Sequence, residues 1–378
     1  MNNMNPIQYH KELEGKIEVI SRAKIKTKED LSLAYTPGVA EPCKEIAEDK
    51  SKVYDYTRKG NLVLVVTDGS AVLGLGNIGP EASLPVMEGK CVLLKEFAGV
   101  DAFPIALDTQ DEDEIIDTVA RIAPMFGGIN LEDISAPRCF SIEKKLKERL
   151  DIPVFHDDQH GTAIVVLAGL YNALKLADKK LEEVKIVLSG AGAAGIAIGK
   201  LLESAGAKNI LYLDSKGVVC GDRKDLTTEK QEIAEHTACP KCGISLSCAI
   251  QNADVFIGVS KAGLLTSEMV MTMAKKSIIF AMANPTPEIM PDEAKRGGAF
   301  VIATGRSDFA NQINNVLAFP GIFRGLLDNR LPQVTEKMKL DVARALADFV
   351  GEPCVEKIIP SPFDKGVVEV VAEAVKNA

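Results

Sequence analysis

Residues 184–195 read VKIVLSGAGAAG: an apolar, strand-forming run leads straight into Gly190, Gly192 and Gly195, and the helix-forming IAIGKLLESAG follows at once. That order is the strand, tight turn and helix of a dinucleotide-binding unit. Gly190 permits the turn, Gly192 lets the backbone approach a pyrophosphate, and Gly195 lets the helix pack closely on its strand. Ala193 and Ala194 complete the cofactor-binding turn, and the phosphates are expected at the helix N-terminus, where unpaired amides and the dipole favour anions. A second strand, NILYLD, ends in Asp214, placed about 20 residues downstream, where an acid meets ribose hydroxyls. Ser215, Lys216 and Arg223 follow in DSKGVVCGDR and offer groups for a 2′-phosphate. The sequence therefore predicts NAD or NADP and leaves the choice open. A second GxGxxG, at Gly74, Gly76 and Gly79, lacks the direct strand-to-glycine junction because TDGSAVL intervenes; it reads as an active-site or packing loop.

Further polar residues stand where apolar strands end, the place where open parallel sheets bind ligands. They are Tyr35 in LAYTPGV, Lys90 in PVMEGK, the acids Glu132, Asp133, Asp157 and Asp158, Asn284 in ANPTPE, and Asn314 and Asn315 in NQINNV. Each alone has a bland reading, since paired acids commonly begin helices or face solvent. Their combination is more specific: Mg²⁺ and Mn²⁺ require several carboxylate oxygens, and two acidic pairs flanking the strand DIPVF can supply them. HTACPKCGISLSC places Cys239, Cys242 and Cys248 near His236, similar to a zinc knuckle. Its second half is a single cysteine where a structural site usually has a pair, so a solvent-exposed insertion is the expectation.

These groups need an α/β framework to hold them. Residues 11–30 are charged and helix-prone, and YTPGVAEPC opens a helix at about 41–49. NLVLVV, VLLKEFAGV and AFPIALD read as strands, and DEDEIIDTVARIAPMF as an amphipathic helix. After the short strand in ERLDIPVFHDDQHGTA comes a long apolar helix. ADVFIGVS, SIIFAMANP and AFVIATG then repeat a strand-then-loop pattern, as in the later strands of a doubly wound parallel sheet. The expected division is an N-terminal α/β domain for substrate and metal, 1–160, and a Rossmann-type dinucleotide-binding domain, 161–378, with the C-terminal helix packing back on either.

A chain of 378 residues suits two ordinary domains. The net charge of −9 argues against nucleic acid as a partner, so an anionic substrate must be held by local cations. MNNMNPIQYHKELEG has no signal-peptide core, and no stretch reads as approaching the roughly 20 apolar residues that span a bilayer. The expected compartment is the cytosol, with no membrane partner. Eight cysteines are ordinary for a reducing compartment, most of them read as small buried hydrophobes.

Eight motifs in order, LAYTPGVAEPC, VVTDGSAVLGLGNIG, LPVMEGK, NLEDI, FHDDQHGTA, SGAGAAG, ANPTPE and NNVLAFPG, resemble the malic enzyme family of the short microbial type. The resemblance implies oxidation of malate and decarboxylation to pyruvate with NAD or NADP and Mg²⁺ or Mn²⁺. It implies Glu132, Asp133 and Asp158 as metal ligands with Asp157 supporting them, Lys90 as base, Tyr35 as acid, Asn284 at the substrate and cofactor, and at least one of Asn314 and Asn315 facing substrate. A homodimer is implied as well. One departure is that larger family members carry a carboxylate-binding arginine just after TDG, where this chain has Ser70 and Ala71. Asn284 with the 314–315 pair, amides of the 74–79 loop, or a residue of a partner subunit are the expected replacements. Three rival readings are weighed: a malolactic enzyme retaining NADH, a non-catalytic nucleotide sensor, and a metal-independent amino-acid dehydrogenase. The sensor has no need of Lys90 or the carboxylates, and the dehydrogenase none of two acidic pairs.

Overall fold

The computed structural model describes residues 5–72, 74–237 and 239–378. Met1–Met4, Leu73 of the second glycine motif and Ala238 of the cysteine-rich run lie outside the described residues.

Strands β1 (Leu62–Thr67), β2 (Asp101–Ala106), β3 (Gly128–Leu131) and β4 (Val154–His156) form one sheet in the order β2-β1-β3-β4, parallel throughout. In β1, LVLVVT is buried at every position after the first, because helices cover both faces of a parallel sheet. Strands β5 (Lys185–Ser189), β6 (Asn209–Asp214), β7 (Gly217–Val218), β8 (Val255–Gly258), β9 (Ile278–Ala281) and β10 (Val301–Thr304) form the second, in the order β10-β9-β8-β5-β6-β7. All its pairings are parallel except that of the edge hairpin, β6 with β7. Because β6 lies on one side of β5 and β8 on the other, the order reverses at β5 and opens a crevice at the carboxyl ends of β5 and β8. The expected α/β class with a doubly wound cofactor sheet is what the chain adopts.

VLLKEFAGV is not a strand. Its first seven residues end the helix Pro80–Ala98, whose buried stripe is Ser83, Met87, Cys91, Leu94 and Ala98, the three-to-four spacing of a helix face. Gly99, at φ 63°, ends it with its N–H on the Leu94 and Lys95 carbonyls. The run 11–30 is not one helix either: Pro6–Leu13 and Lys28–Ala34 are helical, and the residues between them are not.

The helical run Asp157–Ala177 meets the length and hydropathy of a membrane span, at 21 residues, contrary to the expectation that no stretch approaches one. It begins as a π-turn, Asp157–Gly161, and continues as the helix Thr162–Ala177, buried on nearly every side as a core helix. The helices Phe319–Asp328, Glu336–Phe349 and Val367–Lys376 brace the two sheets together. Gly321 and Gly325 leave room for Val371 and Val375 of the last helix. On the opposite side of Phe319–Asp328, Phe323 packs on Gly128, and Arg324 Nη1 donates to Asn61 Oδ1 at 2.6 Å. The last helix therefore packs on the brace, which in turn grips the first sheet.

The N-terminal arm is different. Its helices Pro6–Leu13, Lys28–Ala34 and Ala40–Glu48 bury no residue, and Ile7, Val19, Ile20 and Leu33 are exposed. Lys16 tethers the arm, its backbone N–H donating to Glu88 Oε2 at 2.9 Å.

Candidate active site

The carboxyl ends of β3 and β4 deliver the acids. Glu132 and Asp133 follow β3, and Asp157 and Asp158 open the π-turn after β4, an arrangement typical of functional sites. Asp133 holds φ 55°, a left-handed conformation uncommon outside glycine, and its N–H donates to Asp158 Oδ2 at 2.8 Å. Gly161 is required beneath them, since a Cβ there would lie 1.9 Å from Asp157 Oδ1. Lys90 reaches the acids from the helix Pro80–Ala98. Its Nζ lies 2.5 Å from Asp157 Oδ2 and 3.0 Å from Glu132 Oε1, with side-chain exposures of 11%, 0% and 2% respectively. The brace closes the far side: Asn315 Oδ1 is 3.4 Å from Lys90 Nζ, and the Phe319 ring centroid is 4.7 Å from it.

Glu132, Asp133 and Asp158 each offer a carboxylate oxygen within 4.8 Å of the others. Three hard oxygen donors at that spacing fit a six-coordinate Mg²⁺ or Mn²⁺, whose remaining positions go to substrate and water. The electrostatics agree. Burial pushes Glu132 up to about 7, with Lys90 opposing it and Asp158 reinforcing it. Burial pushes Asp157 up to about 7 as well, again against Lys90, and raises Asp158. Burial works against charge on Lys90, but Asp157, Glu132 and Asp158 together outweigh it and raise its pKa. Four acids against one lysine leave an excess of negative charge in a dry site, which a dication relieves.

The structure sorts the other expected site residues. Of the asparagine pair, Asn315 faces Lys90, whereas Asn314 caps its own turn by accepting from Val316 N at 3.0 Å. Asn284 sits beyond β9 on a segment anchored by buried Glu288, which accepts from Ser260 N at 2.8 Å and Ala283 N at 3.0 Å. Gly74 packs there: a Cβ on it would lie 2.7 Å from the Asn284 carbonyl oxygen, whereas the space beside Gly76 and Gly79 is open, so only the first glycine of the second motif is a packing contact. Ser70 does not stand in for the missing arginine. Its hydroxyl bonds to Asp68 and accepts from Ser135 N, while Arg138 Nη2 bonds Asp68 at 2.9 Å. Tyr35 is 66% exposed at the end of Lys28–Ala34, and the structure does not bring it to Lys90 or the acids.

At the cofactor sheet the three glycines divide their tasks as expected. A Cβ on Gly190, at φ 119°, would meet the Val259 carbonyl at 2.6 Å, and one on Gly195 would meet the Gly190 carbonyl at 1.7 Å. Beside Gly192 the space is open, and Ala193 and Ala194 begin the helix Ala193–Ser204. Those free first-turn amides fit a pyrophosphate. Asp214 ends β6 as anticipated, but its carboxylate is gripped by Arg223 Nη1 at 2.8 Å, Arg223 Nη2 at 3.0 Å and Lys230 Nζ at 2.7 Å. These bonds overcome partial burial and lower Asp214 to about 2. Lys216 donates its backbone N–H to Asp214 and its ammonium to Asp225, and Ser215 is exposed.

Sequence reasoning missed Glu288, Lys230 and the Arg138–Asp68 pair, and it missed Glu143, which bonds His160 at 2.7 Å beneath the site. It also missed a fourth sulfur. Cys220 is joined to Cys239 and Cys242 to Cys248 as disulfides, so Cys220 is not a lone buried hydrophobe. Cys43 and Cys354 are exposed, and only Cys91 and Cys139 are buried free thiols as expected. His236 lines a separate depression with Glu203 and Lys208. Cys239 and Cys242 lie on an exposed loop, as an insertion would.

A dinucleotide cradle on a doubly wound sheet, joined to a buried lysine and carboxylates on a second sheet, defines a nicotinamide-dependent oxidoreductase of two parts. Residues 14–147 match the malic enzyme N-terminal domain, and residues 159–375 match the malic enzyme NAD-binding domain. The chain is 59% identical over 375 residues to the bifunctional malic/malolactic enzyme of Bacillus subtilis, covering 98% of this chain and 92% of that one. It is 59% identical to the NAD-dependent malic enzyme of Geobacillus stearothermophilus, covering 96% and 76%. The crystal structure of the NAD-dependent malic enzyme from Thermotoga maritima superposes with a TM-score of 0.96 at 49% identity, covering 99% of both chains. The chain belongs to the malic enzyme family.

Proposed function

We propose that this protein oxidatively decarboxylates L-malate to pyruvate and CO₂ with reduction of NAD or NADP, dependent on Mg²⁺ or Mn²⁺. The observation that carries the reading is Lys90, buried between Asp157 and Glu132 beside three clustered carboxylates. In this reading residues 1–160 hold substrate and metal and residues 161–378 hold the cofactor. Glu132, Asp133 and Asp158 would hold the cation, and the 190–195 turn with Asp214 would hold the dinucleotide. When bound, the cation supplies Lewis acidity that eases loss of the C2 hydroxyl proton and spreads the charge left by departing CO₂. The nicotinamide supplies the hydride acceptor.

The chain's own groups then divide the proton work. Lys90 Nζ takes the C2 hydroxyl proton, for which it must first be neutral. Asp157 Oδ2, 2.5 Å away and already raised towards neutrality, is placed to relieve Lys90 of its extra proton once a dication offsets the surrounding acids. Asn315 orients the ammonium, and the Phe319 face and surrounding burial exclude water. Tyr35 protonates C3 of the enol. Its exposure on an arm that buries nothing favours a homodimer in which each chain's Tyr35 serves the partner's Lys90.

Absorbance at 340 nm with L-malate and Mn²⁺, with NAD or NADP, with or without EDTA, tests the reading while pyruvate and lactate are assayed. Reduced cofactor and pyruvate rising together, abolished by EDTA, support it. Lactate without free reduced cofactor gives the malolactic alternative, which the bifunctional Bacillus relative favours as the second reading. No turnover of malate overturns both.

A further inference from the structure

The segment from the β6–β7 hairpin to Cys248 carries chemistry that malate oxidation does not use. Cys239 and Cys242 flank Pro240 and Lys241 in a tight turn closed by Gly243 N–H on the Pro240 carbonyl at 3.1 Å. Gly243, at φ 116°, takes a conformation that suits glycine. CPKCG is thus a knuckle whose sulfurs leave the chain three residues apart. Each meets a sulfur held by the body of the fold: Cys220, 1% exposed and just beyond β7, faces Cys239, and Cys248, 5% exposed, faces Cys242. Residues 241–245 are all exposed, so the loop has no apolar core of its own; its sulfurs and one backbone bond, Val218 N–H to the Ile244 carbonyl at 2.8 Å, tie it to the fold.

We propose that, once its sulfurs are reduced, this segment binds one zinc ion through the thiolates of Cys220, Cys239, Cys242 and Cys248. The disulfide-bonded form in the structure is then the oxidised state. Two equivalents of a dithiol reduce the two disulfides, each passing two electrons and two protons to one S–S bond and closing to a cyclic disulfide. The four thiols bind Zn²⁺ and release four protons. A tetrahedral ion with Zn–S of about 2.3 Å holds its sulfurs about 3.8 Å apart. Cα separations of 5.5 Å and 5.9 Å allow each pair to open to that spacing by side-chain rotation. In a reducing compartment a CxxC with further cysteines binds metal rather than cross-linking.

The site is tied to the cofactor end. Arg223 N–H donates to the Cys220 carbonyl at 3.1 Å, and the same arginine grips Asp214. Zinc holding Cys220 therefore positions Arg223, and its loss is read in the cofactor KM more than in kcat.

The experiment uses the full chain prepared with a dithiol reductant and freed of loosely held metal. Zinc is measured by atomic emission and by transfer to a chromophoric chelator, and thiols are counted after denaturation. One tightly held zinc per chain with eight thiols, absent from Cys242→Ser, and released by a disulfide-forming oxidant as four thiols disappear, is the expected result. Eight thiols with no zinc retained after incubation with Zn²⁺, or four thiols persisting as disulfides under the reductant, overturns the proposal. Zinc retained by Cys242→Ser also overturns it, because the metal then lies elsewhere. Cys242→Ser is expected to keep Mn²⁺-dependent kcat while its dinucleotide KM rises several-fold; a loss of folded protein alone would lower kcat and leave KM unchanged.

Discussion

Two carboxylate clusters sit at the carboxyl ends of strands in different sheets, and they are balanced in opposite ways. Around Lys90, four acids share one ammonium in a buried site. Around Asp214, two acids share Arg223, Lys230 and Lys216 near the surface. Burial raises the acids of the first cluster towards neutrality, while cation hydrogen bonds lower Asp214 in the second. The first cluster lacks positive charge and calls for a metal ion. The second has a positive surplus and suits a phosphorylated ligand.

The largest effect is expected from removing the single cation of the poor cluster. Lys90→Ala should lower kcat for malate oxidation by about a thousandfold or more, followed at 340 nm. Tyr35→Phe should mainly slow ketonisation of the enol. Equal loss of every partial reaction in both variants would sink the assignment of base and acid. Mixing Lys90→Ala with Tyr35→Phe, and following pyruvate, sharpens the point. If Tyr35 serves a partner, subunit exchange should restore about a quarter of wild-type activity, since half the dimers gain one intact site; no recovery would place both residues in one chain.

Next comes the metal. Glu132 and Asp157 have pKa values of about 7 in the folded, metal-free protein, against ordinary values of 4.5 and 3.8. The native state therefore holds more protons than the unfolded chain through the acidic range, and stability should fall as pH rises from about 4 through about 7. Other groups shift the opposite way, His156 lowered to about 4 by burial and Asp214 to about 2 despite partial burial, by its bonds to Arg223 and Lys230, so the test is a difference. In EDTA-treated protein Mn²⁺ should raise Tm more at about pH 7 than at about pH 4; equal gains at both would mean that the acids are not strained. The smallest effect belongs to the rich cluster: Arg223→Ala should shift the ratio of kcat/KM for NADP over NAD towards NAD by about tenfold, because Asp214 is then freed to repel a 2′-phosphate. An unchanged ratio would separate the Asp214 cluster from cofactor choice.

The cofactor cradle was legible because its glycines answer to backbone geometry, and local sequence encodes that directly. The acidic pairs were legible because β3 and β4 are short strands that end at them. VLLKEFAGV misled because its β-forming valines and phenylalanine mask a helical stripe when judged over nine residues, whereas the stripe begins at Ser83. Arg223 and Lys230 on Asp214, Arg138 on Asp68 and Glu288 under the Asn284 segment depend on tertiary approach and leave no periodic trace in the chain. Tyr35 carries a family motif but no signal of where its helix docks, since that helix buries no residue that would mark a docking face in the sequence.

Lys90 and the asparagine that touches it are separated by 225 residues. At synthesis rates of about 5–20 residues per second, the lysine waits roughly 10–45 seconds on the ribosome before that partner exists. A growing chain thus carries its dinucleotide turn long before Lys90 can meet Asn315.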